Sequence, residues 1–428
     1  MTADSKPYRI PGLQLTDHVL DVPLDHTDPN GRTIQVFARE VASVDHADQD
    51  LPWLVFLQGG PGSPSPRPIR ADGWLGRAVQ TYRVLLLDQR GTGRSTPLSA
   101  RAVRDLAPAE LAAYLRHFRA DSIVADAELL RARLLGEQRW ATLGQSYGGF
   151  VTLTYLSQAP HGLSTCLVAG GVPGVRATAD DVYARTYPRV AAKNAEFYRR
   201  YPDDVAVVRR IADHLDATDV RLPDGDRLTA RRLRLLGNAF GMSDGYERVH
   251  WLLEEALVHV EHGDELPDGF RHHVMAATGF VDTPLFALQE YTYGGQGSGP
   301  TAWAAHRAMD RHPEFGADAT PLLFTGEMMY PWMFQEIAAL RPFAGAADLL
   351  AAADDWPPLY DPDRLAANDV PLIAAVYFDD MFVDSALQLE TLSSVGNARA
   401  WVTNEYEHDG LRTGDVLARL LDMAAGRR

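Results

Sequence analysis

The chain has 428 residues, 46% hydrophobic and 23% charged, with a formal net charge of −16 at pH 7. That composition supplies one large core with an insertion, or two domains; the acid excess argues against a nucleic-acid-binding footprint and favours a cationic ligand. No stretch approaches the roughly 18–20 apolar residues of a membrane helix, and "MTADSKPYRIPG" lacks the basic-then-apolar pattern of a secretory signal. The expectation is a soluble cytoplasmic protein without membrane or nucleic-acid partners.

The first elements read as strands. "HVLDVPL" and "TIQVFAREV" flank "DHTDPNGR", in which Asn30-Gly31 is a hairpin signal. Short apolar runs follow, "PWLVFLQ", "YRVLLLD", "RWATLGQ" and "CLVAGGV", with a helical stretch near residues 121–138 between the second and third. Strands alternating with helices imply βαβ crossovers. The expected fold class is therefore α/β, with a mostly parallel, doubly wound sheet.

From about residue 180 to 365 the pattern turns helical, as in "YERVHWLLEEALVHVEHG", before sheet signals return in "VPLIAAVYF" and "ARAWVTN". This predicts a first core segment at 1–175, a helical cap insertion at 176–365 and a second core segment at 366–428. Within the insertion "TYGGQGSGP" is expected to be a loop. The single cysteine, Cys166, lies in the apolar run "TCLVAGG" and reads as a core thiol; it leaves no internal disulfide and no multi-cysteine zinc site.

The chemistry centres on "LGQSYGGF". Gly144-x-Ser146-x-Gly148 follows a strand and opens a helix, the context of a nucleophile elbow that exposes a serine hydroxyl at the end of a sheet. A serine needs a base, and chain order in such folds runs Ser, acid, His. Of fourteen histidines only His408 lies beyond the late strand "VPLIAAVYF" and its acids. Asp380 is preferred as the acid, with Asp379 and Asp384 also open. A Ser-Lys dyad has only Lys6 and Lys193 to draw on. His259 and His262 lack the H-E-x-x-H pattern, so no metal or other cofactor is expected. The loop "LQGGPGSPSP" completes the set: its glycines allow backbone to approach a ligand, so the amides of Gly60 and Tyr147 are the expected oxyanion donors.

Together "GGPG", "DQRGTGRS", "GQSYGG" and "YEHDGL", in this order, resemble the proline iminopeptidases (prolyl aminopeptidases) of the α/β-hydrolase fold, specifically their larger branch. The likeness spans essentially the whole chain. Gln58 and Tyr147 stand where smaller members have His and Trp. The resemblance implies release of N-terminal proline from a peptide substrate through an acyl-enzyme on Ser146. It favours Asp380, which precedes Met381, and it places Glu290 and Glu327 as cap carboxylates for the cationic proline nitrogen, a group with two N–H donors. The nearby aromatics Phe286, Tyr291, Tyr293, Tyr330, Trp332 and Phe334 have two uses open to them, proline pocket or cap core. The same scaffold also suits an esterase, amidase or epoxide hydrolase-like enzyme, or a binding protein.

Overall fold

Ten strands form one sheet in the computed structural model, which describes residues 3–261, 266–292 and 299–427. They are β1 (Ala3–Asp4), β2 (Tyr8–Ile10), β3 (Leu13–Pro23), β4 (Thr33–Ser43), β5 (Trp53–Leu57), β6 (Arg83–Asp88), β7 (Trp140–Gln145), β8 (Leu163–Ala169), β9 (Leu372–Tyr377) and β10 (Ala398–Thr403). The sheet order is β1-β3-β4-β6-β5-β7-β8-β9-β10, with β2 paired to β3. From β6 to β10 every pairing is parallel, and the N-terminal strands add an antiparallel wing. The mostly parallel α/β class expected from the sequence is the one observed.

Residues of the central strands explain their position. "LVFL" of β5 is buried without alternation, as a strand covered on both faces requires. By contrast β10, at the sheet edge, is largely open. Asn30-Gly31 does not form a two-residue hairpin. Gly31 closes a turn by donating its N–H to the Asp28 carbonyl at 3.0 Å, the fourth position of a turn where glycine is favoured, inside the longer connection from β3 to β4.

Helices cover both faces. On one side lie α1 (Ala120–Leu135) and α2 (Tyr147–Gln158). The predicted helix near 121–138 stops earlier because Gly136 takes φ 60° and ψ −121°, a non-helical backbone conformation that glycine alone adopts readily. Between β8 and β9 the described residues add helices but no strand to the sheet. This helical stretch opens with α3 (Ala179–Arg200), set by a capping box in which Thr178 Oγ accepts the Asp181 amide and Asp181 accepts the Thr178 amide at 2.9 Å. Further along lies α4 (Ala304–Met309). After β9 come α5 (Ser385–Ser394) and the C-terminal α6 (Val416–Ala424); Leu417 and Leu420 of α6 pack on the second face of the sheet.

Cys166 is fully buried, and burial pushes its thiol pKa up to about 12, so it stays a core thiol. Most of the stretch 292–300 lies outside the described residues, as do Tyr293 and the side chains of His259 and His262. Among the described residues no helix is long and apolar enough to cross a membrane.

The connections define where a site belongs. From β5 the chain moves to β6 on one side and then crosses to β7 on the other. Such a reversal leaves a crevice at the carboxyl ends of the parallel strands. The loop after β5 and the turn after β7 both open into it.

Candidate active site

Ser146 occupies the turn between β7 and α2 with φ 54° and ψ −124°. A non-glycine residue held there stores strain, and such strain recurs at functional turns. The neighbouring glycine makes the turn possible: a Cβ on Gly148 would stand 1.9 Å from the Leu57 carbonyl oxygen, so only glycine lets α2 start this close to β5. Tyr147 is the first residue of α2, and its amide is among the helix N-terminal donors without an intrahelical acceptor. Its phenol points elsewhere, into a fully buried position.

The glycine loop after β5 lies directly against this turn. A Cβ on Gly59 would come 2.9 Å from Ser146 Cβ, and Gly60 holds φ 123°, which side chains rarely tolerate. The loop is anchored by the end of β6. Asp88, fully buried, accepts the Ser65 amide at 3.0 Å, the Arg94 amide at 2.9 Å and the Arg67 guanidinium at 2.8 and 2.5 Å. Gln89 adds a bond from its side chain to the Gln58 carbonyl at 2.9 Å. Sequence reasoning missed this anchoring, although Asp88, Gln89 and Arg94 lie within the motif "DQRGTGRS". On its outer side the loop meets the helical stretch between β8 and β9, where a Cβ on Gly62 would lie 2.9 Å from Leu285 Cβ.

His408 and Asp380 come from loops after β10 and β9. Nδ1 of His408 lies 2.7 Å from Oδ2 of Asp380. A carboxylate only accepts, so Nδ1 carries the proton and Nε2 of the neutral ring is left as the acceptor. The second oxygen of Asp380 accepts the amides of Phe382 at 2.8 Å and Val383 at 3.2 Å, which fixes the carboxylate. The alternatives are engaged differently. Asp379 is half exposed beside Arg189, and Asp384 caps α5 through the amides of Ala386 and Leu387. Both His408 and Asp380 are buried, and the Phe382 ring meets the imidazole edge to face at 4.8 Å. Burial alone would lower the His408 pKa. The charge and hydrogen bond of Asp380, joined by the charge of Glu327, more than offset it, and the net shift is upward.

The two glutamates part company. Glu327 is half-buried and near enough for its charge to act on His408. Glu290 is buried, and its carboxylate accepts the first amides of α4, Ala304 at 3.0 Å and Ala305 at 2.8 Å. Burial raises its pKa to about 7 against the lowering effect of these amides and Thr301. Its oxygens therefore already serve the helix start, a use that sequence reasoning did not foresee. Of the aromatics, Tyr291, Tyr330 and Phe334 are core residues; Tyr330 Oη lies 3.1 Å from Tyr187 Oη. Phe286 and Trp332 remain partly open, and Phe286 borders the glycine loop at Gly62.

The chain matches the α/β-hydrolase fold family over residues 52–216, which sets the class of the protein, and the match includes the turn that carries Ser146. It is 46% identical over 418 residues to a proline iminopeptidase from Aeromonas sobria, covering 97% of each chain. A proline iminopeptidase from Aspergillus aculeatus is 32% identical over 409 residues, 92% of this chain and 89% of its own. The chain belongs to the proline iminopeptidase family. Among solved structures, a hydrolase from Pseudomonas aeruginosa PA01 aligns over 95% of this chain and 98% of its own, with 13% identity and a TM-score of 0.40.

Proposed function

We propose that the chain is a serine aminopeptidase that releases N-terminal proline from peptides, with Ser146 as nucleophile, His408 as base and Asp380 as the acid that orients it. The observation that carries this reading is the 2.7 Å bond between His408 and Asp380, formed by the one histidine that chain order selects. The Ser146 hydroxyl attacks the prolyl carbonyl as His408 Nε2 takes its proton, and Asp380 stabilises the imidazolium. The amides of Gly60 and Tyr147 receive the oxyanion. His408 then gives the proton to the leaving amine, and water attacks the prolyl ester by the same route, returning Ser146 and free proline.

Residues 176–365 act in this reading as the cap, which brings a carboxylate to the amino end of the substrate. Glu327 is the partner assigned to the prolyl ammonium, because its charge reaches His408. Glu290 contributes as a cap carboxylate at the base of α4, with part of its accepting capacity taken by that helix. The partly open Phe286 and Trp332 offer apolar surface for the pyrrolidine ring. The proposed compartment is the cytoplasm, which fractionation with an antibody tests.

A panel of aminoacyl-arylamides tests the function. Proline arylamide is expected to be turned over fastest, with activity abolished by a serine-reactive phosphonate and untouched by a chelator. Turnover of a neutral acetate ester without turnover of proline arylamide would overturn the substrate assignment in favour of an esterase.

A further inference from the structure

Three consecutive residues of the base loop are each held by the helical insertion. Both carboxylate oxygens of Glu407 accept from Lys193 Nζ of α3, at 2.5 and 2.6 Å. The His408 amide donates to the Gly241 carbonyl at 3.0 Å. Asp409 accepts the Ser243 amide at 3.2 Å and the Ser243 hydroxyl at 2.8 Å. One helical turn before Lys193, Arg189 stands 3.2 Å from Asp379, the neighbour of Asp380. A single helix of the insertion thus touches residues adjoining both the base and the acid.

The arrangement is costly for a purely stabilising contact. The Lys193 side chain is 8% exposed and that of Glu407 29%, and desolvating such a pair consumes much of what their attraction returns. The chain has two lysines and spends one here. Gly241 shows how closely the parts fit. A Cβ there would stand 2.0 Å from the Phe382 ring, the ring that packs on His408, so only glycine brings this carbonyl to the His408 amide. The loop needs outside support because it follows β10, an open edge strand flanked on one side only.

We infer that Lys193 is a positioning residue: with Gly241 and Ser243 it makes the insertion the outer wall of the His408 seat, so the base is aligned only when the insertion is docked. The inference rests on the reading of Ser146, His408 and Asp380 as the catalytic set. It assigns to the insertion a role in the chemical step, separate from recognition of the substrate nitrogen. Groups facing the imidazole from other elements are Asp380, Glu327 and Arg412, and those facing Glu407 are Lys193, Asp379 and Asp380.

The test compares Lys193→Met, Lys193→Arg and Ser243→Ala on proline arylamide and on a neutral acetate ester, with Tm measured for each. A displaced base slows chemistry on any acyl group, so Lys193→Met is expected to lower kcat about 10- to 100-fold on both substrates, with KM within about two-fold. Lys193→Arg should restore most of the loss, and the downfield Nδ1 proton resonance of His408 should broaden or move in Lys193→Met alone. Wild-type kcat with an unmoved resonance in folded Lys193→Met overturns the inference, as does equal loss in Lys193→Arg and Lys193→Met. Should Lys193→Met not fold, Ser243→Ala decides: about a three- to ten-fold fall in kcat supports the inference and no fall overturns it. His408→Gln is run beside them. If it is inactive while Lys193→Met keeps full rate, only the positioning role fails; if His408→Gln is active, the catalytic reading and this inference fall together.

Discussion

At the scale of single residues the proposed mechanism assigns chemistry and recognition to different side chains. Ser146→Ala is expected to leave the fold intact and lower kcat by about 10⁴-fold or more, since the remaining donors cannot replace a covalent step; circular dichroism and burst kinetics check it. With His408 as the proposed base, its upward shift predicts the pH profile. The imidazole must be neutral to accept the serine proton, so the acid limb of kcat/KM should have its midpoint above the ordinary histidine value of about 6.5. In Glu327→Gln, which removes a charge that favours the imidazolium, this midpoint should move down, and an unmoved midpoint would place Glu327 away from the base. The same variant should lose roughly 10- to 100-fold in kcat/KM on proline arylamide and far less on a neutral ester, as removal of one charged hydrogen-bond partner does. Glu290→Gln tests how much of the recognition passes through a carboxylate that already accepts two helix amides.

At the scale of elements, catalytic geometry depends on loops held by buried polar groups. The glycine loop carries little apolar surface of its own and is fastened through Asp88 to β6. Asp88→Asn turns a buried acceptor of four donated bonds into a group that must itself donate. A loss on the order of 3 kcal/mol is expected, read as a lower denaturation midpoint, together with a fall in kcat from a loosened oxyanion site. Gly148→Ala acts on the other wall. Its methyl would overlap the Leu57 carbonyl, so α2 must shift from β5, and both Tm and kcat should fall. A Gly148→Ala enzyme with wild-type Tm and rate would show that the elbow tolerates a wider turn than this packing allows.

At the scale of the whole molecule the helical stretch between β8 and β9 is bound to the loops of the sheet by charge and backbone contacts, and one of its buried acids makes stability depend on pH. Burial lifts the Glu290 pKa from 4.5 to about 7. The native state therefore binds more protons than the unfolded chain between these values, so stability contributed at this position falls as pH rises through that window. A glutamine at 290 does not titrate. The Tm gap between wild type and Glu290→Gln should accordingly narrow from about pH 5 to about pH 8. A constant gap over that range would mean that Glu290 is ionised throughout.

Local signals carried much of this protein. Unbroken apolar runs marked the buried parallel strands, because a strand covered on both faces must be hydrophobic throughout. Glycine spacing between a strand and a helix marked Ser146, and chain order singled out His408 as the last histidine. What the sequence left open was the partnering of polar groups distant along the chain. Asp379, Asp380 and Asp384 are equivalent by order, and only the packed loop shows one facing the imidazole, one facing Arg189 and one capping α5. Glu290 and Glu327 looked alike until folding turned one toward the amides of α4 and left the other within reach of His408. Lys193 carried no motif, yet it meets Glu407 across more than two hundred positions. Hydrophobic period and backbone conformation are written within a few residues; the partner of a buried charge is chosen by whichever donor the finished fold brings within about 3 Å.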